Sequence, residues 1–207
     1  MNEKAMYKLS YGLFVLTANE DGHDNGCTVN TVQQVTTEPN RIIVAINKNN
    51  LTHDMVKYTG TFNVPVLSEN SKFETFKHWG MQSGRDVDKL EAIEISRSEN
   101  GLVYIAGEET NAFISASVVS SQDLGTHTLF LADVTDCEVL GDAESATYSY
   151  YQKNIKPAPE KAGVTKDGQV IWRCRICGYE WVGEELPDDF ICPICKHPKA
   201  DFEKIVR

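Results

Sequence analysis

Short runs in which apolar and polar residues alternate dominate the chain upstream of residue 155. They predict strands over residues 12–19, 27–37, 41–48, 61–68, 102–107, 111–122 and 127–141. Turn-forming clusters such as Glu20-Asp21-Gly22 and Glu38-Pro39-Asn40 separate these runs. Because many short strands occur without a repeated alternation of strand and helix, we expect a mostly β domain that closes into a barrel.

Helical spacing of apolar residues interrupts the strands at three places. It predicts helices over residues 51–60, 71–80 and 146–154. Asn49 or Asn50 is the predicted N-cap of the first helix. Ser71 followed by Glu74 has the spacing of a capping box, which predicts the start of the second helix.

A stretch of prolines, glycine and charged residues, 156–163, ends the apolar periodicity. It predicts a first domain over residues 1–155, a linker over 156–168 and a small domain over 169–207. A chain of 207 residues is long enough for one medium domain and a small one.

Charge and hydropathy narrow the classes of partner. The net charge of −10 disfavours nucleic acid and anionic lipid as partners, so we expect small molecules or proteins instead. The sequence has no apolar run long enough to span a membrane, and its N-terminal stretch lacks the apolar region of an export signal. We therefore expect a cytosolic protein.

Four of the six cysteines fall into two C-x-x-C units that are separated by residues 178–191. A tight C-x-x-C turn brings two thiolates to one ion, and two such turns complete a tetrahedron. The spacing therefore predicts a metal site made of Cys174, Cys177, Cys192 and Cys195. Tetrahedral sulfur ligation suits both iron and zinc. The remaining two, Cys27 and Cys137, are predicted to be unpaired, buried thiols.

The residues around the cysteine pairs resemble a rubredoxin. They are Trp172, Gly178-Tyr179, Trp181, Leu186-Pro187-Asp188-Asp189-Phe190, Pro193 and Asp201-Phe202-Glu203. The stretch from about Val170 onwards resembles the shortened rubredoxin of rubrerythrin-like proteins. This resemblance implies one iron ion held by the four cysteines, with Cys177 and Cys195 nearest the surface.

Three segments of the first domain together have the chemistry of an anion site. Residues 26–31 carry small and hydroxyl side chains, residues 47–53 join a strand to a helix, and residues 83–89 add a turn with two cations. The partial positive charge of a helix N-terminus suits a phosphate. The alternative is that these residues form turns and a solvated face, in which Arg85 and Lys89 pair with Asp86 and Asp88.

From about residue 6 to residue 153 the chain resembles the flavin reductase family. The matching motifs are TVNTVQQVTTEPNRIIVAINKNNLTH, residues 28–53, and WGMQSGRDVDKLE, residues 79–91. The resemblance implies a split β-barrel that binds FMN and forms a homodimer. It implies that the flavin is held by Thr28, Val29, Asn30, Thr31, Asn47, Lys48, Thr52, His53, Arg85 and Lys89.

His127 is the candidate catalytic residue that the same resemblance implies. In related reductases a histidine at this place lies close to the flavin face where nicotinamide stacks. Here His127 follows Gly125-Thr126, whereas the family pattern often has an acidic residue before the histidine. The alternative is an exposed histidine at the end of a strand.

A flavin reductase-like barrel joined to a rubredoxin is similar to the high-molecular-weight rubredoxins. The resemblance implies an oxidoreductase that passes electrons from NAD(P)H, or from a separate reductase, through FMN to iron. It implies a flavo-diiron reductase of oxygen or nitric oxide as the acceptor. The alternative is a non-enzymatic ligand-binding barrel with a structural zinc ribbon.

Overall fold

The computed structural model describes residues 3–91, 93–157, 170–175, 178–193 and 198–206. The chain divides into two units, Met1–Lys156 and Pro157–Arg207. Most of the predicted linker lies outside the described residues, so its bounds stay a prediction.

Strands form most of the regular structure of the first unit, which confirms the mostly β prediction. They are β1 (Phe14–Glu20), β2 (His23–Val29), β3 (Gln33–Thr37), β4 (Asn40–Asn47), β5 (Thr61–Leu67), β6 (Ile95–Arg97), β7 (Val103–Ile105), β8 (Thr110–Asp123) and β9 (His127–Val139). A seven-stranded antiparallel sheet has the order β2-β1-β5-β8-β9-β4-β3, and β6 pairs with β7.

The helices lie close to the predicted positions. They are α1 (Leu51–Thr59), α2 (Phe73–Gly80) and a short α3 (Tyr148–Tyr150), which continues into a π-helical turn over Tyr151–Ile155. Asn50 is the N-cap of α1. Gly60 ends that helix at a φ of 71°, a conformation that glycine adopts without steric cost. The chain can therefore turn directly from α1 into β5.

Strand β1 contributes to two apolar cores, which explains its nearly continuous apolar sequence. The Leu16 side chain packs in one core with Phe62, while Val15 packs in the other with Phe76 and Trp79 of α2. Leu16, Val15 and Phe62 are completely buried. Each such side chain stabilises the fold by about 1.5–3 kcal/mol relative to an exposed one.

The strand predicted over residues 27–37 is two strands in the structure. β2 begins earlier, at His23, and pairs with β1 across a tight turn in which Asp21 and Gly22 have φ values of 52° and 86°. Between β2 and β3, the Thr31 hydroxyl donates to the carbonyl of Ala45 at 2.8 Å and accepts from its N–H at 3.1 Å. A side chain thus replaces ladder hydrogen bonds there.

The predicted capping box at the start of α2 is wrong. Lys72 is the N-cap, and the Ser71 hydroxyl donates instead to the carbonyl of Glu109 at 2.9 Å. The carboxylate of Glu109 accepts from the Lys72 N–H at 3.3 Å and from the Thr75 hydroxyl. A helix leaves its first N–H groups without partners inside the helix. Here the Glu109 carboxylate, which lies in a distant loop, accepts from the Lys72 N–H in place of the Glu74 carboxylate.

The two cysteines of the first unit differ in burial. Cys27 is 5% exposed, as predicted for a thiol that fills space. The prediction that Cys137 is buried is wrong, because this residue is exposed. It lies in the part of β9 beyond the pair Arg41–Asp133, where the pairing with β4 has ended.

The second unit has a three-stranded sheet with the order β11-β10-β12. Its strands are β10 (Val170–Cys174), β11 (Glu180–Val182) and β12 (Phe202–Val206). Its core contains Cys174, Leu186, Cys192 and Phe202, with Trp172, Tyr179, Trp181 and Phe190 packed against it. The aromatic residues that carry the rubredoxin resemblance therefore form the packing of this unit.

Candidate functional sites

The structure brings together the three segments that were predicted to form an anion site. Asn25, the residue directly before the first segment, donates its side-chain amide to the Thr52 hydroxyl at 2.9 Å and so joins β2 to the first turn of α1. The loop after α2 lies against the same amide, since a Cβ atom at Gly84 would be 2.1 Å from Asn25 Oδ1. Arg85 in that loop then pairs with Asp54 of α1 at 2.6 Å. Distant parts of the sequence thus surround one helix N-terminus.

The end of β4 places two further predicted residues beside β9. Asn47 is the register partner of His127, and the N–H of Lys48 donates to the carbonyl of Thr126 at 3.0 Å. The His127 side chain is half-buried, and its Nδ1 lies 2.9 Å from the Thr126 hydroxyl. Asn47, Lys48 and His127 therefore lie at the same end of the sheet, where β4 ends and β9 begins.

The side chains of Thr52 and His53 point into the protein. They are 0% and 4% exposed. His53 Nδ1 lies 2.9 Å from Asp54 Oδ1, and Nε2 lies 2.8 Å from the Thr128 hydroxyl. Because an ionised carboxylate only accepts, Nδ1 donates its proton to Asp54, and Nε2 pairs with the Thr128 hydroxyl. Both ring nitrogens of His53 are thus used within the protein.

Lys89 is a buried cation, 3% exposed. Its ammonium donates to the carbonyls of Gly26 at 2.9 Å and Trp79 at 3.0 Å. Burial lowers the pKa of Lys89, and the neighbouring Cys27 only partly opposes this effect. Its role as a cation of the anion site stays a prediction. In the structure it joins β2 to the end of α2.

Cys27 lies beside this buried lysine. Burial raises the pKa of its thiol, although hydrogen bonds to Thr52 and Asn50 and the charge of Lys89 act in the opposite direction. The thiol is therefore neutral near pH 7 and contributes packing rather than charge.

Lys48 and Arg85, the other cations of the site, are each paired with a carboxylate. Lys48 contacts both oxygens of Asp123 at 2.7 Å, and this hydrogen bond lowers the pKa of Asp123. Burial raises the pKa of Asp54, but hydrogen bonds from His53 and Arg85 outweigh this effect and lower it overall. Both carboxylates are therefore ionised near pH 7.

The end of β2 and the residue that follows it fit a polar ligand. The Thr28 hydroxyl is buried and has no hydrogen-bond partner among the described residues. It faces Gly80, where an added Cβ atom would come within 3.1 Å of it. Val29 packs in the core, and Asn30 is half-buried. A buried hydroxyl without a partner is costly, so a ligand that pairs with Thr28 would remove that cost.

Sequence reasoning missed Asn25, Asp54 and Thr128, which hold Thr52 and His53 in place. Asp54 gave a local signal, because an acidic residue in the first turn of a helix is favoured there. Thr128 directly follows the candidate His127, but nothing in its spacing relates it to His53. An open cavity of about 550 Å³, lined in part by Tyr104 and Asp142, includes none of the residues predicted to bind flavin.

The candidate metal site lies in the second unit. Cys174 and Cys192 are 1% and 0% exposed and share one core. The N–H of Gly178 donates to the Cys174 carbonyl at 2.9 Å, and Gly178 has a φ of 79°. This turn matches the tight loop expected after a first ligand cysteine. Cys177 and Cys195 lie outside the described residues.

The described residues contain no helix that is long and apolar enough to cross a membrane.

Comparison with known proteins identifies both units. Residues 6–159 match the family described as "Flavin reductase like domain". The chain belongs to the flavin reductase family. Residues 172–203 of this flavin reductase-like chain match a second family, "Rubrerythrin, rubredoxin-like domain". The flavin reductase-like unit implies a flavin, and the rubredoxin-like unit implies iron.

Two relatives agree with this assignment of the units to families. The chain is 36% identical to a high molecular weight rubredoxin of Moorella thermoacetica, over 99% of this chain and 100% of that protein. It is 38% identical to a ferric-chelate reductase (NAD(P)H) of Archaeoglobus fulgidus, over 73% of this chain and 89% of that protein. The flavin reductase-like chain is thus an oxidoreductase, as the resemblance implied.

Solved structures confirm the fold of the first unit. An NADH:FAD oxidoreductase of Streptomyces globisporus aligns with a TM-score of 0.63 and 21% identity, over 70% of this chain and 84% of that chain. The flavin reductase PheA2 aligns with a TM-score of 0.60 and 24% identity, over 71% of this chain and 93% of that chain. The fold predicted for this flavin reductase family member is therefore confirmed.

Proposed function

We propose that this chain transfers electrons from NAD(P)H, through bound FMN, to one iron ion and then to a protein acceptor such as a flavo-diiron oxygen or nitric oxide reductase. The observation that carries the proposal is the presence of both units on one chain, together with similarity to a high molecular weight rubredoxin over 99% of its length. When bound, the flavin supplies the change from two-electron to one-electron transfer that a single iron requires.

The FMN site is proposed to lie around the first turn of α1. Thr28, whose hydroxyl has no hydrogen-bond partner within the described part of the chain, contacts the flavin together with Val29, Asn30 and Thr31. Asn47 and Lys48 follow the ribityl chain. The phosphate lies at the helix N-terminus beside Thr52 and His53, with Arg85 as a further cation. The backbone N–H groups of the first turn favour this anion.

The residues that are buried in the structure support the site indirectly. Lys89 fixes the carbonyl of Gly26, and therefore the start of the segment that contacts the flavin. The Thr52 and His53 side chains fix the helix N-terminus through Asn25 and Thr128. His127, at the start of β9 next to Asn47, is the proposed catalytic residue on the side where nicotinamide enters.

The iron site is proposed to consist of Cys174, Cys177, Cys192 and Cys195. Cys174 and Cys192 share one small core, which supports the proposal because one cysteine of each C-x-x-C unit is thereby brought to the same place. We expect the iron-loaded chain to be a homodimer.

The test is the metal and flavin content of full-length protein that is purified without oxygen. The proposal predicts FMN, and iron with the visible absorption and high-spin ferric EPR signal of sulfur ligation. Cys192→Ser removes a proposed ligand and should abolish that signal. The control is Cys137→Ser, which changes an exposed cysteine outside the ligand set and should leave it intact. A colourless zinc-containing protein would contradict the proposal.

A further inference from the structure

Asp54 uses both of its carboxylate oxygens within the candidate flavin site. Oδ1 accepts from His53 Nδ1 at 2.9 Å, and Oδ2 accepts from Arg85 Nη2 at 2.6 Å. The side chains of Asp54 and Arg85 are 49% and 48% exposed. The protein therefore places its own anion on the first turn of α1 and holds the nearby arginine with it.

A second anion at this place would meet two opposing effects. The helix N-terminus attracts it, because unpaired N–H groups and the helix dipole favour negative charge. Asp54 repels it, and Asp54 also competes for the guanidinium group of Arg85. A ligand with a phosphate experiences this competition, whereas a ligand without one does not.

We propose that Asp54 weakens the binding of phosphate-bearing flavin by pairing with Arg85, and so sets how strongly the site prefers FMN over riboflavin. The inference rests on the proposed FMN site. Asp54 is a specificity-determining residue in this view, and Arg85 is the cation that it shares with the phosphate. The site consequently retains FMN less tightly than its cations alone would allow.

The expected effect is modest, because ion pairs between half-exposed side chains contribute little in water. D54N keeps an oxygen that can accept from His53 Nδ1, so the imidazole retains its orientation while the charge is removed. We expect D54N to lower the Kd for FMN by roughly three- to five-fold and to leave the Kd for riboflavin unchanged.

Fluorescence titration of flavin-free, full-length protein with FMN and with riboflavin measures both constants. The matched control is D133N, because Asp133 pairs with Arg41 at the same 2.6 Å with partly exposed side chains, 46% and 32%. D133N should change neither constant. An equal change for FMN and riboflavin in D54N would overturn the inference, since it would indicate a general change in the fold.

The role of Arg85 is tested in a second background. In R85Q the cation is absent, so adding D54N should produce a much smaller gain in FMN affinity than it does in the wild type. A gain of the same size in both backgrounds would overturn the competition for Arg85. If neither FMN nor riboflavin binds the wild-type chain, the proposed function fails and this inference fails with it.

Discussion

Lys89 provides the strongest test of how the candidate flavin site is held together. Its ammonium is 3% exposed and donates to two buried carbonyls, those of Gly26 and Trp79. We consider the substitution Lys89→Met, which keeps a long unbranched side chain and removes every donor.

The magnitude follows from the two acceptors that are left behind. An unsatisfied buried acceptor costs about 1–3 kcal/mol, so two such carbonyls cost roughly 2–6 kcal/mol. Removing the ammonium also removes the penalty for burying its charge, the same effect that lowers the pKa of Lys89. We therefore expect a net loss of about 3 kcal/mol in the free energy of unfolding of the first unit.

Urea unfolding of the flavin-free chain, followed by far-UV circular dichroism, measures this loss. With a slope of about 1–3 kcal/mol/M, a loss of about 3 kcal/mol should lower the midpoint by roughly 1–3 M. The control is Lys77→Met on α2, where the lysine is exposed and the midpoint should not move. A loss below about 1 kcal/mol for Lys89→Met would show that these two hydrogen bonds do not hold β2 to α2.

Three further substitutions test other parts of the structure. Glu109→Ala removes the carboxylate that caps α2 and should destabilise the first unit by about 1 kcal/mol in the same urea assay, whereas Glu74→Ala on that helix should have little effect. Cys192→Ser should make the second unit lose its protease resistance as well as its iron, because ligation supplies much of the folding free energy of so small a unit. Asp54 has a lowered pKa, so its stabilisation is present above the ordinary value of 3.8 and is lost as the pH falls through the lower folded value. Thermal unfolding curves of wild type and D54N should therefore converge in acid and separate above that pH.

The parts of the structure that sequence predicts well are those fixed by local spacing. Alternation of apolar residues located most strands, and two C-x-x-C units located the candidate metal ligands. The turn at Asp21-Gly22 was also visible, because a positive φ at both residues favours these residue types.

The parts that sequence predicts poorly depend on partners far along the chain. Lys89 lies in a charged segment of the sequence that is typical of a solvated surface. In the structure it is buried, and its ammonium donates to carbonyls of β2 and α2. The cap of α2 comes from Glu109 because the fold brings that loop to the helix, which no capping-box spacing encodes. Cys137 has the sequence pattern of a core position. It is exposed in the structure, where it lies beyond the point at which β4 stops pairing with β9.

The candidate anion site contains features that the sequence predicts and features that it does not. Its three segments were recognisable by residue type, and the structure places them around one helix N-terminus. The buried hydrogen bond between His53 and Thr128 was not predictable, because β9 contacts α1 only in the folded barrel.

In the proposed function, electrons from NAD(P)H reach the four-cysteine iron through the flavin site of the same protein. Anaerobic stopped-flow mixing with NADH or NADPH, recorded at the visible band of the ferric centre, measures this transfer. We expect the band to bleach in the wild type, with one nicotinamide consumed for every two ferric ions when the flavin is catalytic. A variant that has lost FMN but retains iron should not bleach. Bleaching at the wild-type rate in that flavin-free variant would show that the electrons do not pass through the flavin.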